Sequence, residues 1–496
     1  MLRTTSRIVL VLVSLVSGLN VDAQDAGRKP KKQAAATTTG RNAPPPSVFY
    51  TDVPERAFDI ILCRPTDKSV TASIVAYAPM EGYIEYGLTD ASLDSRTKAK
   101  PFAPQEPQTF ELAGLQPGTR YCYRLLWKRP DAQDFAADEI HSFQTQRAPG
   151  TPFVFTIQAD SHLDTANGGA IYERALRSEL SDTPDFVIDL GDTFMTDKRG
   201  NAFREAQAQY FAQRYYLGLL CHSAPMFLVL GNHDGESARR FDGGMDSISG
   251  WSHGRRTSLF PNPIPSAFYS GNAIRLEPLG YLQDYYAWRW GDAQFIVLDP
   301  YWFSQEQNGR SKDPWDKSLG REQYVWLRET LERSDAAFIF VFIHNLVGGV
   351  DDVMRGGAEA ARLFEWGGLD RNGESQFAAR RPGWEEPIHD LLKRNGVAVV
   401  FHGHDHFFAR QELDGIVYQL VPQPSHPGGR DLTSFANKYG YISGDFLSSP
   451  GYLRVAIDAS TAKITYAHLA GTQGESSAVK PPEAVYEYEV RARKPR

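Results

Sequence analysis

Five apolar runs between residues 150 and 410 each end in side chains that can hold a cation, and this arrangement constrains the chain more than any other feature. Residues 153–159 run into Asp160-Ser-His162 and residues 186–190 into Gly191-Asp192. Residues 226–230 run into Gly231-Asn-His-Asp234, residues 338–343 into His344, and residues 397–401 into Gly403-His-Asp-His406. Continuous apolar runs of this length are expected of strands buried on both faces. Helical stretches near 170–180 and 202–219 fall between them. Strands alternating with helices predict an α/β domain with its helices outside, and open α/β sheets carry their sites beyond the C-terminal ends of strands. Taken singly, each group has a plainer reading. A Gly-Asp after a strand is commonly a turn or a helix cap, and one histidine after an apolar run is more often structural than a ligand. Taken together they form a nitrogen and oxygen donor set without cysteine, which suits Mn, Fe or Zn.

The flanks are different. Arg3 and Arg7 precede an apolar run over 8–16, and Val21-Asp22-Ala23 offers small residues for cleavage, so residues 1–23 read as a signal peptide and the protein as secreted or periplasmic. The run is shorter than the roughly 20 residues that span a bilayer, and no membrane span is expected after cleavage. Residues 24–47, rich in Lys, Ala, Thr and Pro, read as a disordered linker. Residues 48–147 alternate small, aromatic and polar positions with a Pro117-Gly118 turn, and predict a small all-β sandwich. That pattern resembles the fibronectin type III-like domain in front of the catalytic domain of purple acid phosphatases, and its plainest role is a structural spacer. The catalytic domain is expected over 150–470. Within it, 415–421, 452–457 and 463–468 are expected to complete a second sheet, followed by a C-terminal extension over 471–496.

The order Asp-x-His, Gly-Asp, Gly-Asn-His-Asp, His, Gly-His-x-His resembles the signature of the calcineurin-like metallophosphoesterase superfamily over residues 150 to about 470. The resemblance implies a two-sheet α/β sandwich holding two divalent or mixed-valence ions. Asp160, His162 and His406 would hold the first, Asn232, His344 and His404 the second, and Asp192 would bridge them. It also implies in-line attack on a phosphate ester by a metal-bridging hydroxide. His233 would face the leaving group, with Asp234 keeping it oriented and protonated. His402, on the parity of His404, is expected behind the ligands or in the core. The site departs from purple acid phosphatases in two places: His162 stands where those enzymes have Gly, and Met195 where they have a tyrosine ligand. The resemblance therefore implies a relative without tyrosinate colour.

Long insertions lie between Asp234 and Tyr285 and after His344. Arg255 and Arg256 are either phosphate clamps or ordinary surface charge. Trp251 is either a stacking wall or core, Tyr301 and Trp302 share that ambiguity, and His426, after another strand-like run, is a minor candidate for the site rim. The net charge of -7 argues against stable nucleic-acid binding, so the expected partner is a small-molecule or nucleotide-like phosphate ester. Three cysteines exclude a disulfide-dense scaffold and leave a Cys63–Cys122 pair open. The alternative function, a catalytically silent cell-surface binding or adhesion protein on the same scaffold, predicts lost ligands, whereas all five groups are present.

Overall fold

Two twisted sheets face each other across an aromatic core. The computed structural model describes residues 49–164, 168–304, 313–350, 354–428, 431–469 and 482–493. The expected signal peptide over 1–23 and the expected linker over 24–47 lie outside them. The first sheet has nine strands, in the order Glu483–Arg491, Thr461–His468, Gly451–Ile457, Phe153–Gln158, Val187–Asp189, Met226–Leu228, Phe58–Cys63, Ser69–Ala76 and Pro107–Ala113. The second runs Ser270–Gly271, Tyr286–Trp290, Ala293–Val297, Phe338–Phe342, Val399–His402, Ile416–Leu420, Phe408–Leu413 and Asp445–Leu447. Phe155, Phe186, Trp288, Phe295, Phe342, Phe401 and Val455 fill the space between the sheets. Rings are layered there, with Phe227 on Trp288 at 3.9 Å and Trp288 on Phe295 at 4.9 Å, as expected where large side chains interdigitate between two sheets.

Helices cover the outer faces. Gly169–Ser181 and Gln207–Cys221 lie on the first sheet, and Arg321–Arg333 and Ile388–Arg394 on the second. Parallel pairing of Phe153–Gln158, Val187–Asp189 and Met226–Leu228 brings three of the predicted strand ends to one edge. Parallel pairing of Phe338–Phe342 with Val399–His402 brings the other two to the same edge of the facing sheet. The closing strands do not all join the second sheet as expected. Ile416–Leu420 does, but Gly451–Ile457 and Thr461–His468 return to the first, where Phe153–Gln158 offers a free antiparallel edge. Residues 483–491 add one more strand there.

The all-β region shares a sheet with the catalytic region. Phe58–Cys63 pairs in parallel with Met226–Leu228 at Cys63 and Met226. The resulting layer packs on a second sheet built around Met80–Gly87 and Arg120–Lys128 through Leu62, Ile74, Ile84, Phe110, Tyr123 and Phe143. The buried Arg214 donates to the Ser73 hydroxyl (3.1 Å) and to the carbonyls of Ser73 (2.8 Å), Asp59 (3.2 Å) and Leu259, which ties this layer to the Gln207–Cys221 helix. Cys63, Cys122 and Cys221 are all free thiols. Among the described residues no helix is long and apolar enough to cross a membrane.

The Gly169–Ser181 helix buries Tyr172, Ala175, Leu176 and Glu179, a stripe at helical spacing in which the last member is a carboxylic acid. Burial raises the Glu179 pKa from 4.5 to about 8, with the Thr156 hydroxyl opposing. A carboxyl whose pKa rises on folding binds more protons in the native chain than in the unfolded one. Stability therefore falls as pH climbs from 4.5 through 8, by on the order of 5 kcal/mol at about 1.4 kcal/mol per unit. Glu179→Gln is expected to flatten that slope. Urea titrations below pH 4.5 and above pH 8 measure it, and an unchanged slope in the variant would assign the pH dependence to other groups.

Candidate metal centre

Four of the five strand ends supply two triads of potential ligand atoms, Asp160 with His162 and His406, and Asp192 with His344 and His404. Within each triad the ligand atoms lie within 4.8 Å of one another. Asp160 Oδ1 is 3.6 Å from His162 Nε2 and 3.3 Å from His406 Nε2. Asp192 Oδ2 is 3.4 Å from His344 Nε2 and 3.7 Å from His162 Nε2, so one carboxylate oxygen faces both triads. Asp160 Oδ1, His162 Nε2, Asn232 Oδ1 and His344 Nε2 are buried and make no hydrogen bond among the described residues. Buried polar atoms are nearly always satisfied, so the unsatisfied Asp160 Oδ1, His162 Nε2 and His344 Nε2 of the triads fit the binding of cations, and Asn232 Oδ1 is left unsatisfied as well. The Nδ1–H of His344 donates to the Leu190 carbonyl (2.7 Å), which leaves Nε2 as the free lone pair, a usual arrangement for a metal-binding imidazole.

The backbone is strained where the donors sit. Asp160, His162, Asp192, His404 and His406 all adopt positive φ, between 50° and 77°. A side chain in that region costs on the order of 1–3 kcal/mol, and such residues cluster at functional sites where the surroundings hold them. Those holds are visible. The Asp160 N–H donates to the Gly191 carbonyl (3.0 Å), and the His404 N–H to Asp160 Oδ2 (2.8 Å). Gln209 and Gln213, one turn apart on the covering helix, donate to the His162 carbonyl (2.7 Å), the Ser161 hydroxyl (2.9 Å) and the Thr193 carbonyl (2.8 Å). Gln423 holds the Asp160 carbonyl (2.9 Å). The loops meet so closely that a Cβ at Gly231 would stand 2.1 Å from the Asp192 nitrogen, and one at Gly403 would stand 2.7 Å from Asp160 Oδ2.

Charge is balanced within the cluster. Burial favours the protonated acid at Asp160 and Asp192, but the facing imidazoles outweigh it and hold both carboxyls well below their usual range. Burial works against charge on His344 too, yet Asp192 and Asp160 raise its pKa to about 9. Burial, reinforced by His344 and Arg355, keeps His404 neutral. A cation entering such a site displaces protons from the imidazoles it binds.

Asp234 does not touch the His233 ring, contrary to expectation. Its carboxylate accepts the backbone N–H groups of Gly231 (2.8 Å), Asp192 (3.1 Å), Thr193 (3.0 Å) and Phe194 (2.8 Å), and so staples two strand-end loops together. Four N–H groups converging on one buried carboxylate leave it no path to a side chain on the outer face of its own turn. The partner of His233 is Asp197, at 2.9 Å from Nδ1. His233 Nε2 then stands 4.0 Å from Asp192 Oδ2, and the His233 N–H donates to Asp192 Oδ1 (2.8 Å). Asp197 carries no motif, and its one sequence signal is an acid a few residues beyond a strand-end Gly-Asp.

Residues 153–408 match the calcineurin-like phosphoesterases, more than half of the chain. The chain belongs to this family. It is a hydrolase of phosphate esters. As a calcineurin-like phosphoesterase it resembles the solved structure of PhoD, with a TM-score of 0.62 at 15% identity over 88% of this chain and 90% of that one. It also resembles a purple acid phosphatase from yellow lupin (Lupinus luteus) seeds, with a TM-score of 0.56 at 13% identity over 87% of this chain and 74% of that one. At these identities the likeness concerns the fold. No curated protein matches the chain in sequence.

The insertions particular to this phosphoesterase are largely structural. Arg256 is neither surface charge nor a phosphate clamp, because it is buried in a bidentate pair with Glu236 (2.6 and 2.9 Å) and donates to the Leu282 and Gln283 carbonyls. Removing one partner of such a pair typically costs about 3–5 kcal/mol. Trp251 packs on Phe203 and Tyr210 in the helix-side core, and Arg255 lies 6.0 Å over its ring. Tyr301 is buried with its ring 6.2 Å from His344 and its hydroxyl donating to Asn345. Arg355 braces the last motif by donating to the His404 carbonyl (3.2 Å) and Asp405 (2.8 Å). His426 lines a narrow cleft together with His406. His402 is buried, and desolvation lowers its pKa to about 4. Met195 is buried.

Proposed function

We propose that this calcineurin-like phosphoesterase is an exported enzyme that hydrolyses phosphate mono- or diesters at two metal ions, Fe, Mn or Zn. Asp160, His162 and His406 would hold one ion, Asn232, His344 and His404 the other, and Asp192 would bridge them. The observation that carries this reading is the position of Asp192 Oδ2, within 3.7 Å of His162 Nε2 and 3.4 Å of His344 Nε2. Bound there, the two ions would lower the pKa of a water molecule enough to supply hydroxide near neutral pH and would neutralise phosphate oxygens. His233 would donate its Nε2 proton to the departing alkoxide, while Asp197, on Nδ1, keeps the ring oriented and stabilises the imidazolium. Asp234 contributes by fixing the Asp192 backbone, not by proton transfer. Export rests on the arginine-flanked apolar start of the chain. The all-β region, read over 48–147 ahead of a catalytic region over 150–470, acts as a support that extends the catalytic sheet.

The test is metal removal. Release of p-nitrophenol from p-nitrophenyl phosphate or bis(p-nitrophenyl) phosphate is expected to stop on dialysis against a chelator and to return with Mn, Fe or Zn. The restored protein is expected to lack the strong visible band of a tyrosinate–iron site. Turnover that survives exhaustive chelation, or no turnover with any of these metals, would sink the two-ion reading.

A further inference from the structure

The loop that carries Asp160 and His162 is also held from outside the strands that present the metal centre. Asp160, His162 and Leu163 adopt positive φ, at 58°, 50° and 50°. Backbone in that region persists only where surrounding contacts stabilise it. At its far end the loop meets a short stretch ahead of the all-β region. Phe49 forms an antiparallel bridge with Asp164, and the Tyr50 N–H donates to the Leu163 carbonyl (2.7 Å). Phe49 is half-buried, and the Arg199 guanidinium lies 4.9 Å over its ring. Arg199 belongs to the Thr196–Ala206 segment, which also carries Asp197, the partner of His233. The stretch thus straps the His162 loop to the segment behind His233. The bridge fixes the backbone of Asp164, whose Oδ2 faces His162 Nδ1 at 3.6 Å. His162 Nε2, on the other side of the ring, faces Asp160 (3.6 Å) and Asp192 (3.7 Å). A carboxylate behind an imidazole orients the ring and keeps its proton on the rear nitrogen, which leaves the front lone pair for a cation.

We infer that Phe49, Tyr50 and Asp164 are positioning residues for His162: the stretch at 49–50 fixes Asp164, and Asp164 orients the imidazole toward the first ion. The effect is confined to one ion, because His344 takes its orientation from the Leu190 carbonyl and not from this strap. Tyr50 is exposed, so its contribution is the backbone N–H and not the ring. The inference rests on the proposed ion-binding role of His162.

The test compares Tyr50→Pro, which removes that N–H, with Tyr50→Ala, which keeps it, and adds Asp164→Asn, which removes the charge behind the ring at nearly constant shape. Calorimetric titration of the metal-free full chain with a manganese salt is expected to show two binding steps in the parent and in Tyr50→Ala. In Tyr50→Pro and in Asp164→Asn one step is expected to weaken by about 10–100-fold, the range for groups that support a ligand, while the other holds. Hydrogen exchange of the metal-free chain supplies a readout that needs no ion. Amides over 160–164 are expected to exchange about tenfold faster in Tyr50→Pro than in Tyr50→Ala, the effect of one lost hydrogen bond. Parental manganese affinities in folded Tyr50→Pro and Asp164→Asn overturn the inference, as does an equal loss at both steps, which marks general loosening. Equal exchange in the two Tyr50 variants overturns it whether or not ions bind. Faster exchange in Tyr50→Pro, in a protein whose parent takes up no Mn, Fe or Zn, would keep the strap and sink the two-ion reading instead.

Discussion

Asp192→Asn is expected to lower turnover of any phosphate ester by at least about a thousandfold, beyond the roughly 10–100-fold typical of residues that only support a ligand, while the chain stays folded. Asp192 Oδ1 accepts the His233 N–H (2.8 Å), and an asparagine carbonyl oxygen keeps that bond. The loss falls on Oδ2, the atom that faces His162 and His344. An amide there is a neutral and poor bridge, and its N–H groups point at the lone pairs that cations would otherwise use. Without the shared negative charge, two neighbouring cations repel at close range. Metal analysis should then find at most one ion per chain, with a melting temperature near that of the metal-free parent. Two tightly bound ions and near-parental turnover in Asp192→Asn would remove the bridging role.

His233→Asn is expected to cost about 100-fold to 10,000-fold in kcat, the usual range for a positioned acid, with a smaller change in KM. The loss should depend on the leaving group. p-Nitrophenolate departs without a proton, so its ester needs the imidazolium less than an alkyl phosphate does. Asp197→Asn should follow the same pattern at smaller amplitude, because Asp197 acts through the Nδ1 contact as a positioning residue. Asp234→Asn should behave differently. It would weaken four backbone hydrogen bonds and so lower thermal stability and metal affinity together, with no dependence on the leaving group. Equal losses on aryl and alkyl esters in His233→Asn would argue that the ring binds phosphate and does not protonate the alkoxide.

The candidate metal ligands stand out in the sequence and their supports do not, for a physical reason. A strand buried on both faces must be apolar, so the first polar residue beyond it stands out, as Asp160 does after 153–159 and His344 after 338–343. Supports have no such background. Gln209 and Gln213 sit in a helix whose other buried positions include Tyr210, Phe211 and Leu217, and one-turn spacing of two amides on a covered face was the available clue. Asp197 depends on how a loop without periodicity folds back. The Arg256–Glu236 pair joins residues 20 apart that nothing local marks as partners.

From composition and order alone the chain declared an α/β layer structure, an all-β region before it, and an oxygen and nitrogen ligand inventory at strand ends, since each follows from which side chains tolerate burial. Folding in three dimensions decided the rest. It carried Phe58–Cys63 alongside Met226–Leu228 and returned Gly451–Ile457 to the first sheet. It also made Asp234 a backbone staple and gave His233 to Asp197. These outcomes depend on which distant backbone groups come within about 3 Å of a buried carboxylate or an open strand edge, and a linear pattern does not encode that distance.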